Sequence, residues 1–76
     1  MTGHRIEIYL DDSFEYRWRR VGGNGEIVAH GEGHPRKWSA IRAAVPLNRD
    51  VPADQWWDWT RRPRLRVRST LLDGLA

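Results

Sequence analysis

The dipeptide Asn24-Gly25 is the strongest local constraint on what this 76-residue chain can fold into. It lies between two β-prone runs, and a type I′ hairpin turn needs a positive φ at both central residues, which Asn and Gly tolerate. We therefore predict a β-hairpin with a two-residue loop. The opposed pairs are Gly23 with Glu26, Gly22 with Ile27, Val21 with Val28, Arg20 with Ala29, and Arg19 with His30.

This register leaves a conflict at Arg20, which falls on the same strand face as Tyr16 and Trp18. An unpaired guanidinium on an apolar face is unfavourable. Two explanations remain open. Either the glycines Gly22 and Gly23 hold a bulge that changes the register, or both sheet faces are partly covered, as a dimer would achieve.

One strand precedes the hairpin and one helix follows it. Residues 5–10 alternate apolar and polar side chains, which indicates a half-buried strand. Over residues 36–45, an apolar stripe of Trp38, Ile41 and Val45 recurs with helical spacing, and Pro46 ends the helix.

The predicted fold class is therefore α+β: a three-stranded antiparallel β-meander followed by one α-helix (β-β-β-α), over residues 1–48. Residues 49–76 form a short C-terminal extension rich in Trp and Arg. We expect it to add a helical turn within 54–60 and an edge strand within 64–68, either in this chain's sheet or in a neighbour's. Residues 73–76 are expected to fray.

Residues 4–47 resemble the YegP-like family (domain of unknown function 1508). The likeness rests on the runs IEIY, EYRWR, GNGEIVA and GEG, in that order, with Lys37 and Ala40 after them. The resemblance implies a β-β-β-α unit that occurs either as tandem copies or as a single copy that forms a homodimer. One copy is present here, so a homodimer is expected. The family pattern carries no established catalytic residues.

Little in the sequence indicates catalysis or a cofactor. There is no cysteine, which removes thiolate metal ligands, and the histidines His4, His30 and His34 lack the spacing of a zinc site. The glycine-rich stretch 22–25 joins two strands, whereas a phosphate loop joins a strand to a helix. We expect no enzyme activity, no metal, no cofactor and no small-molecule substrate.

A small, non-catalytic homodimeric binding or interaction protein of unknown specific role is the function we expect. The short chain and its extension also fit a phage-encoded or accessory protein. Large aromatic side chains often anchor interfaces. The candidate partner or dimer interface consists of Tyr16, Trp18, Trp56, Trp57 and Trp59.

Nucleic-acid binding is the alternative, because arginines interleaved with aromatic residues can contact phosphates and stack on bases. The candidate contacts are Arg17, Arg19, Arg61, Arg62, Arg64, Arg66 and Arg68. Against it, charged residues on an edge strand also discourage sheet aggregation. The preference for Arg over Lys also fits the compositional bias of a GC-rich genome.

The overall charge neither requires nor excludes such a partner. The chain carries 13 basic and 10 acidic residues, a net charge of +3, which is too mild to dictate a polyanion. No run approaches the roughly 20 apolar residues of a membrane span, and no signal-peptide core precedes the first strand. A cytoplasmic location without membrane contact is expected.

Overall fold

A mixed β-sheet with one helix on one face forms the fold of this chain. The computed structural model describes residues 3–72. Its elements are the strands β1 (Arg5–Leu10), β2 (Tyr16–Val21), β3 (Ile27–His30), β4 (Trp56–Asp58) and β5 (Leu65–Arg66), and the helix α1 (Lys37–Ala44). Short 3-10 turns cover Val45–Leu47, Ala53–Gln55 and Ser69–Leu72. The strands lie in the order β3-β2-β1-β4-β5.

The predicted three-stranded meander with one helix is wrong as the fold class, because the sheet has five strands and is mixed. Strand β4 pairs in parallel with β1, and β5 pairs antiparallel with β4. Helix α1 lies in the long crossover connection that a parallel pair requires. Strand β4 has only three residues, too few for alternation to be visible in the sequence.

Part of the segment predicted as a helical turn is therefore strand. Only the 3-10 turn Ala53–Gln55 is helical there, and the chain extends directly after it. The expectation that residues 73–76 fray lies outside the described residues.

The turn between β2 and β3 differs from the predicted type I′ geometry. The N–H of Gly25 donates to the carbonyl of Gly22 at 2.9 Å, and the N–H of Gly22 donates to the carbonyl of Glu26 at 2.8 Å. Gly25 has a φ of 85°, whereas Asn24 does not adopt a positive φ. The loop is thus a three-residue turn closed by a left-handed glycine.

A register shift further along the hairpin compensates for the longer loop. Val21 faces Ile27, but Arg20 faces Ala29, so β3 carries one extra residue between these pairs. Beyond the shift, Arg19 opposes His30 and Arg20 opposes Ala29, as in the two-residue register. The bulge therefore lies on β3 and not at Gly22-Gly23.

The core lies between one sheet face and α1, and the C-terminal extension supplies part of it. Trp56 is 0% exposed, and its indole N–H donates to the carbonyl of Val51 at 3.1 Å. The buried core side chains are Ile6, Ile8, Trp18, Ile41, Ala44 and Val45, with Val51, Trp56, Val67 and Leu72 from the extension. Residues 49–72 are therefore part of the same core as the β-β-β-α unit.

The buried side of helix α1 differs slightly from the predicted apolar stripe. Its buried side chains are Ala40, Ile41 and Ala44, whereas Trp38 is 49% exposed. Because the buried side centres on the two alanines, Trp38 lies at the margin of the stripe. No helix among residues 3–72 combines the length and the apolar character of a membrane span.

The crossover loop resolves the conflict at Arg20. The guanidinium donates to both carboxylate oxygens of Asp50, at 2.9 and 2.7 Å, and its Nε donates to Nδ1 of His4 at 2.7 Å. Next to this pair, the buried side chain of Asn48 donates to the carbonyl of Ala44 at 2.8 Å. A charge on the core face of β2 is thus satisfied by the segment that follows α1.

The pH dependence of stability should report this contact. The hydrogen bond from Arg20 holds the pKa of Asp50 below its ordinary value of 3.8. A lowered pKa in the folded state contributes stability above the unfolded value, and this is lost as the pH falls through the folded value. We expect Asp50→Asn to lower the free energy of unfolding at pH 7, and its difference from wild type to shrink below about pH 4.

Urea unfolding at neutral and acidic pH measures this difference. Asp54→Asn is the matched control, because Asp54 is an exposed carboxylate of the same loop that makes no ion pair among the described residues. A constant difference between wild type and Asp50→Asn from pH 7 to pH 3 would contradict the role given to Asp50.

Candidate binding surface

The sheet face opposite α1 carries several charged side chains and the rings of Tyr9 and Trp57. One row of opposed residues crosses all five strands: Arg66 opposes Trp57, which opposes Glu7, then Arg19 and His30. Because strand side chains alternate, these residues share the face that α1 does not cover. The row brings residues from both ends of the chain together.

Glu7 lies at the centre of this face and is 1% exposed. Its Oε1 accepts from Nε of Arg19 and its Oε2 accepts from Nε of Arg5, both at 2.6 Å. A buried carboxylate is stable only when it is paired and hydrogen-bonded, and here two guanidiniums supply both conditions. Glu7 in return fixes the position of Arg19.

Guanidinium groups lie over the aromatic rings of this face. Arg19 is 4.5 Å from the ring centroid of Tyr9 and 5.0 Å from that of Trp59. Arg64 lies 3.7 Å from the Trp59 centroid, within cation–π range. Arg66 lies 5.4 Å from the ring of Trp57. We call Arg19, Trp57, Trp59, Arg64 and Arg66 the arginine–tryptophan face.

The backbone holds Trp59 in place beside β1. Its N–H donates to the carbonyl of Ile8 at 2.8 Å, one step beyond the paired residues of β4. Next to it, Asp58 accepts hydrogen bonds from Nζ of Lys37 at 2.8 Å and from the N–H of Thr60 at 2.9 Å. Burial raises the pKa of Asp58, but these hydrogen bonds outweigh it and the net shift is downward. The start of the loop after β4 is therefore anchored.

A pocket of about 460 Å³ lies in the loop between β4 and β5. Its lining residues are Trp59, Arg61, Arg62, Pro63 and Arg64, and we call it the loop pocket. Three of its five lining residues are cationic and none is acidic. Among residues 3–72, none of the arginines between positions 61 and 68 forms an ion pair with a carboxylate. The pocket therefore presents positive charge that the rest of the described chain leaves unneutralised.

The other predicted nucleic-acid contacts lie in different surroundings. Arg17 lies two residues from Arg19 towards the start of β2, where its Nε donates to Asp11 at 2.6 Å and its Nη1 donates to the carbonyl of Gly31 at 3.1 Å. The bond from Arg17 lowers the pKa of Asp11. Arg68 lines a neighbouring groove together with Lys37, Arg61 and Arg66. The structure thus joins Arg19 to Arg64 through the ring of Trp59. Arg61 and Arg62 line the loop pocket with Arg64, whereas Arg61 and Arg66 line the neighbouring groove with Arg68. Arg17 is apart from all of them, because it is paired with Asp11.

The predicted aromatic interface residues divide between core and surface. Trp18 and Trp56 are buried within the single chain, so their side chains are not on its surface. Trp57 and Trp59 are half-buried on the arginine–tryptophan face. Tyr16 is half-buried at the start of β2, at the opposite end of the strand from the Asn24-Gly25 turn. Its backbone exchanges hydrogen bonds with that of His34 at 2.7 and 2.8 Å.

Sequence reasoning missed Glu7 and Tyr9 as part of the site. Alternation in the first strand already placed both on its polar face. Their importance depends on β4 lying beside β1, because the parallel register sets Glu7 opposite Trp57. No local pattern in residues 56–58 indicated that pairing.

This chain belongs to the UPF0339 family of uncharacterised proteins, which is the family of the YegP-like proteins. It is 55% identical to a UPF0339 protein of Neisseria meningitidis serogroup B over 48 residues, which cover 63% of this chain and 86% of that protein. A UPF0339 protein of Agrobacterium fabrum is 30% identical over 57 residues, covering 75% and 92%. No family model matches the chain.

A solved structure supports the same relationship. The solution NMR structure of a protein from Haloferax volcanii superposes with a TM-score of 0.60 at 36% sequence identity, covering 64% of this chain and 83% of that one. The predicted resemblance is thus confirmed at the level of the family, and the homodimeric type stays a prediction. The relatives' names describe no activity, so they assign none to this chain.

Proposed function

We propose that this protein is a non-catalytic homodimeric binding protein whose ligand contacts the arginine–tryptophan face and the adjoining loop pocket. The observation that carries the proposal is the set of exposed guanidiniums without a carboxylate partner around two half-buried tryptophans. Arginine and tryptophan are enriched where proteins bind partners, because both combine a large apolar surface with directed donors.

The states of the carboxylates favour binding over acid–base catalysis. Glu7, Asp11, Asp50 and Asp58 each form an ion pair with a basic side chain. The pKa values of Asp11, Asp50 and Asp58 are lowered. A general acid at neutral pH needs the opposite shift, so these groups serve as ionised partners of basic side chains.

The open edge of β3 is the surface we propose for the homodimer. This strand is the last in the sheet, and the side chains of Ile27 and Val28 are 58% and 54% exposed. An apolar edge with free backbone groups can pair with another strand. Two copies of β3 pairing antiparallel about a two-fold axis would extend the sheet across both protomers.

Sedimentation velocity tests this dimer. We expect wild type at tens of micromolar to sediment as a dimer of the 8.9 kDa chain. The double variant Ile27→Lys with Val28→Lys should sediment as a monomer, because lysines on an edge strand oppose strand pairing. Leu47→Lys is the control at another exposed apolar residue. A monomeric wild type, or a double variant that remains dimeric, would contradict this proposal.

Nucleic acid is a second candidate ligand, favoured by the unneutralised arginines of residues 61–68. Each phosphate contacted by Arg releases condensed counterions, so such binding weakens as salt rises. The nearby tryptophan rings hold two of these guanidiniums, those of Arg64 and Arg66, against the sheet. The net charge is mild, so any such binding depends on this local cluster.

Titration of fluorescent DNA and RNA at about 50 and about 200 mM salt tests this candidate. We expect binding at the lower salt, and a marked loss of affinity in the double variant Arg64→Ala with Arg66→Ala. No binding at the lower salt would rule out nucleic acid as the ligand. Binding that the double variant leaves unchanged would rule out these arginines as the contacts.

A further inference from the structure

We infer that the loop pocket is a phosphate-binding site for single-stranded nucleic acid, in which Trp59 is a positioning residue for the guanidinium of Arg64. The inference rests on the nucleic-acid candidate above and assigns it a site, a class of strand and an organising residue. It arises from three observations: the charge of the pocket, the stacking of Arg64 and the anchoring of Trp59.

The lining residues match a phosphate group in charge and in donor geometry. Arg61, Arg62 and Arg64 line a space of about 460 Å³ with no carboxylate among its walls. A guanidinium presents five N–H donors in a plane, which fits the oxygens of a phosphate. Three such groups around one concavity repel one another in the free protein, and a bound anion relieves that repulsion.

Stacking on Trp59 prepares one of these groups for binding. The Cζ atom of Arg64 lies 3.7 Å from the ring centroid of Trp59, and within residues 3–72 no carboxylate pairs with this guanidinium. Arginine loses side-chain entropy when it is fixed by a ligand. Because the ring already restricts Arg64, less of that entropy remains to be lost when phosphate binds.

The sheet in turn fixes Trp59. Its N–H is hydrogen-bonded to Ile8, and Arg19, held by Glu7, also lies over its ring at 5.0 Å. The chain of contacts from the buried Glu7 through Arg19 and Trp59 reaches Arg64. The buried carboxylate of Glu7 therefore helps to fix the position of the exposed guanidinium of Arg64.

The shape of the pocket favours a single strand over a duplex. A duplex presents its phosphates on a stiff convex backbone with the bases turned inward. A single strand can bend one phosphate into a concavity of this size and lay the adjacent base on a guanidinium plane. Since guanidiniums already cover Trp59, we expect bases to stack on arginine and not on the indole.

Fluorescence anisotropy with a labelled oligothymidylate of about twelve nucleotides provides the test, using the full chain at several salt concentrations. The chain offers a matched control, because Arg42 lies 5.8 Å from the ring of Trp38 on helix α1, outside the loop pocket. Arg64→Gln and Arg42→Gln each remove one positive charge from an arginine that lies over a tryptophan ring.

We expect Arg64→Gln to weaken binding about tenfold and to reduce the salt slope of the affinity by about 0.7, the loss of one phosphate contact by a single strand. Arg42→Gln should change the affinity less than about twofold. The duplex of the same length should bind more weakly than the single strand.

Trp59→Ala removes no charge, yet it should weaken binding about two- to fivefold through the lost stacking of Arg64. Trp59→Tyr should restore most of the affinity because it keeps an aromatic ring. Circular dichroism of each variant identifies any that fail to fold. If Trp59→Ala fails to fold, Arg64→Gln still tests the inference, because Arg64 is exposed.

Equal effects of Arg64→Gln and Arg42→Gln, or equal binding of single strand and duplex, would overturn the assignment of the loop pocket as a site for single strands. Either result would leave nucleic-acid binding by the protein intact. Absence of binding by any strand at about 50 mM salt would instead overturn the nucleic-acid candidate itself. The two failures are therefore distinguishable.

Discussion

The ion pair between Arg20 and Asp50 is the contact on which the arrangement of the C-terminal half depends. It satisfies a charge on the core face of β2 and fixes the loop that follows α1 against the sheet. With that loop fixed, Val51 and Trp56 enter the core. Trp56 is the first residue of β4, which continues parallel to β1. A polar contact worth little by itself at a surface thus lies at the start of the segment that supplies Val51 and Trp56 to the core.

The parallel pairing of β4 with β1 also creates the open face. It brings Trp57 beside Glu7, and it lets Trp59 bond to Ile8. The extension therefore has two roles on opposite sides of one sheet. Its apolar side chains complete the core, and its arginines and half-buried tryptophans supply the surface that we propose for binding. The two roles alternate along the strand, as the two-residue period of a strand requires.

The strands and the helix of residues 4–47 could be predicted from the sequence. The pairing of β4 and β5 with this unit, which completes the sheet, could not. The alternation of Ile6 and Ile8 and the helical spacing of Ile41 and Val45 are strong because each repeats over several residues. Strand β4 has no such repeat, and its partner lies some fifty residues earlier in the chain. The Arg20 conflict was visible as a misfit, but its solution required a partner thirty positions away. Likewise the arginines of the site could be named, whereas their grouping depended on the register.

Hydrogen exchange of individual backbone amides tests the central claim, that the extension is an integral part of the sheet. The amides of Trp59 and Val67 donate to carbonyls of Ile8 and Trp56, as that of Gly31 donates to Trp18. We predict that the amides of Trp59 and Val67 exchange as slowly as that of Gly31, and that Arg20→Ala speeds exchange at Trp59 and Val67 more than at Gly31. Rapid, unprotected exchange at Trp59 and Val67 with slow exchange at Gly31 would contradict it.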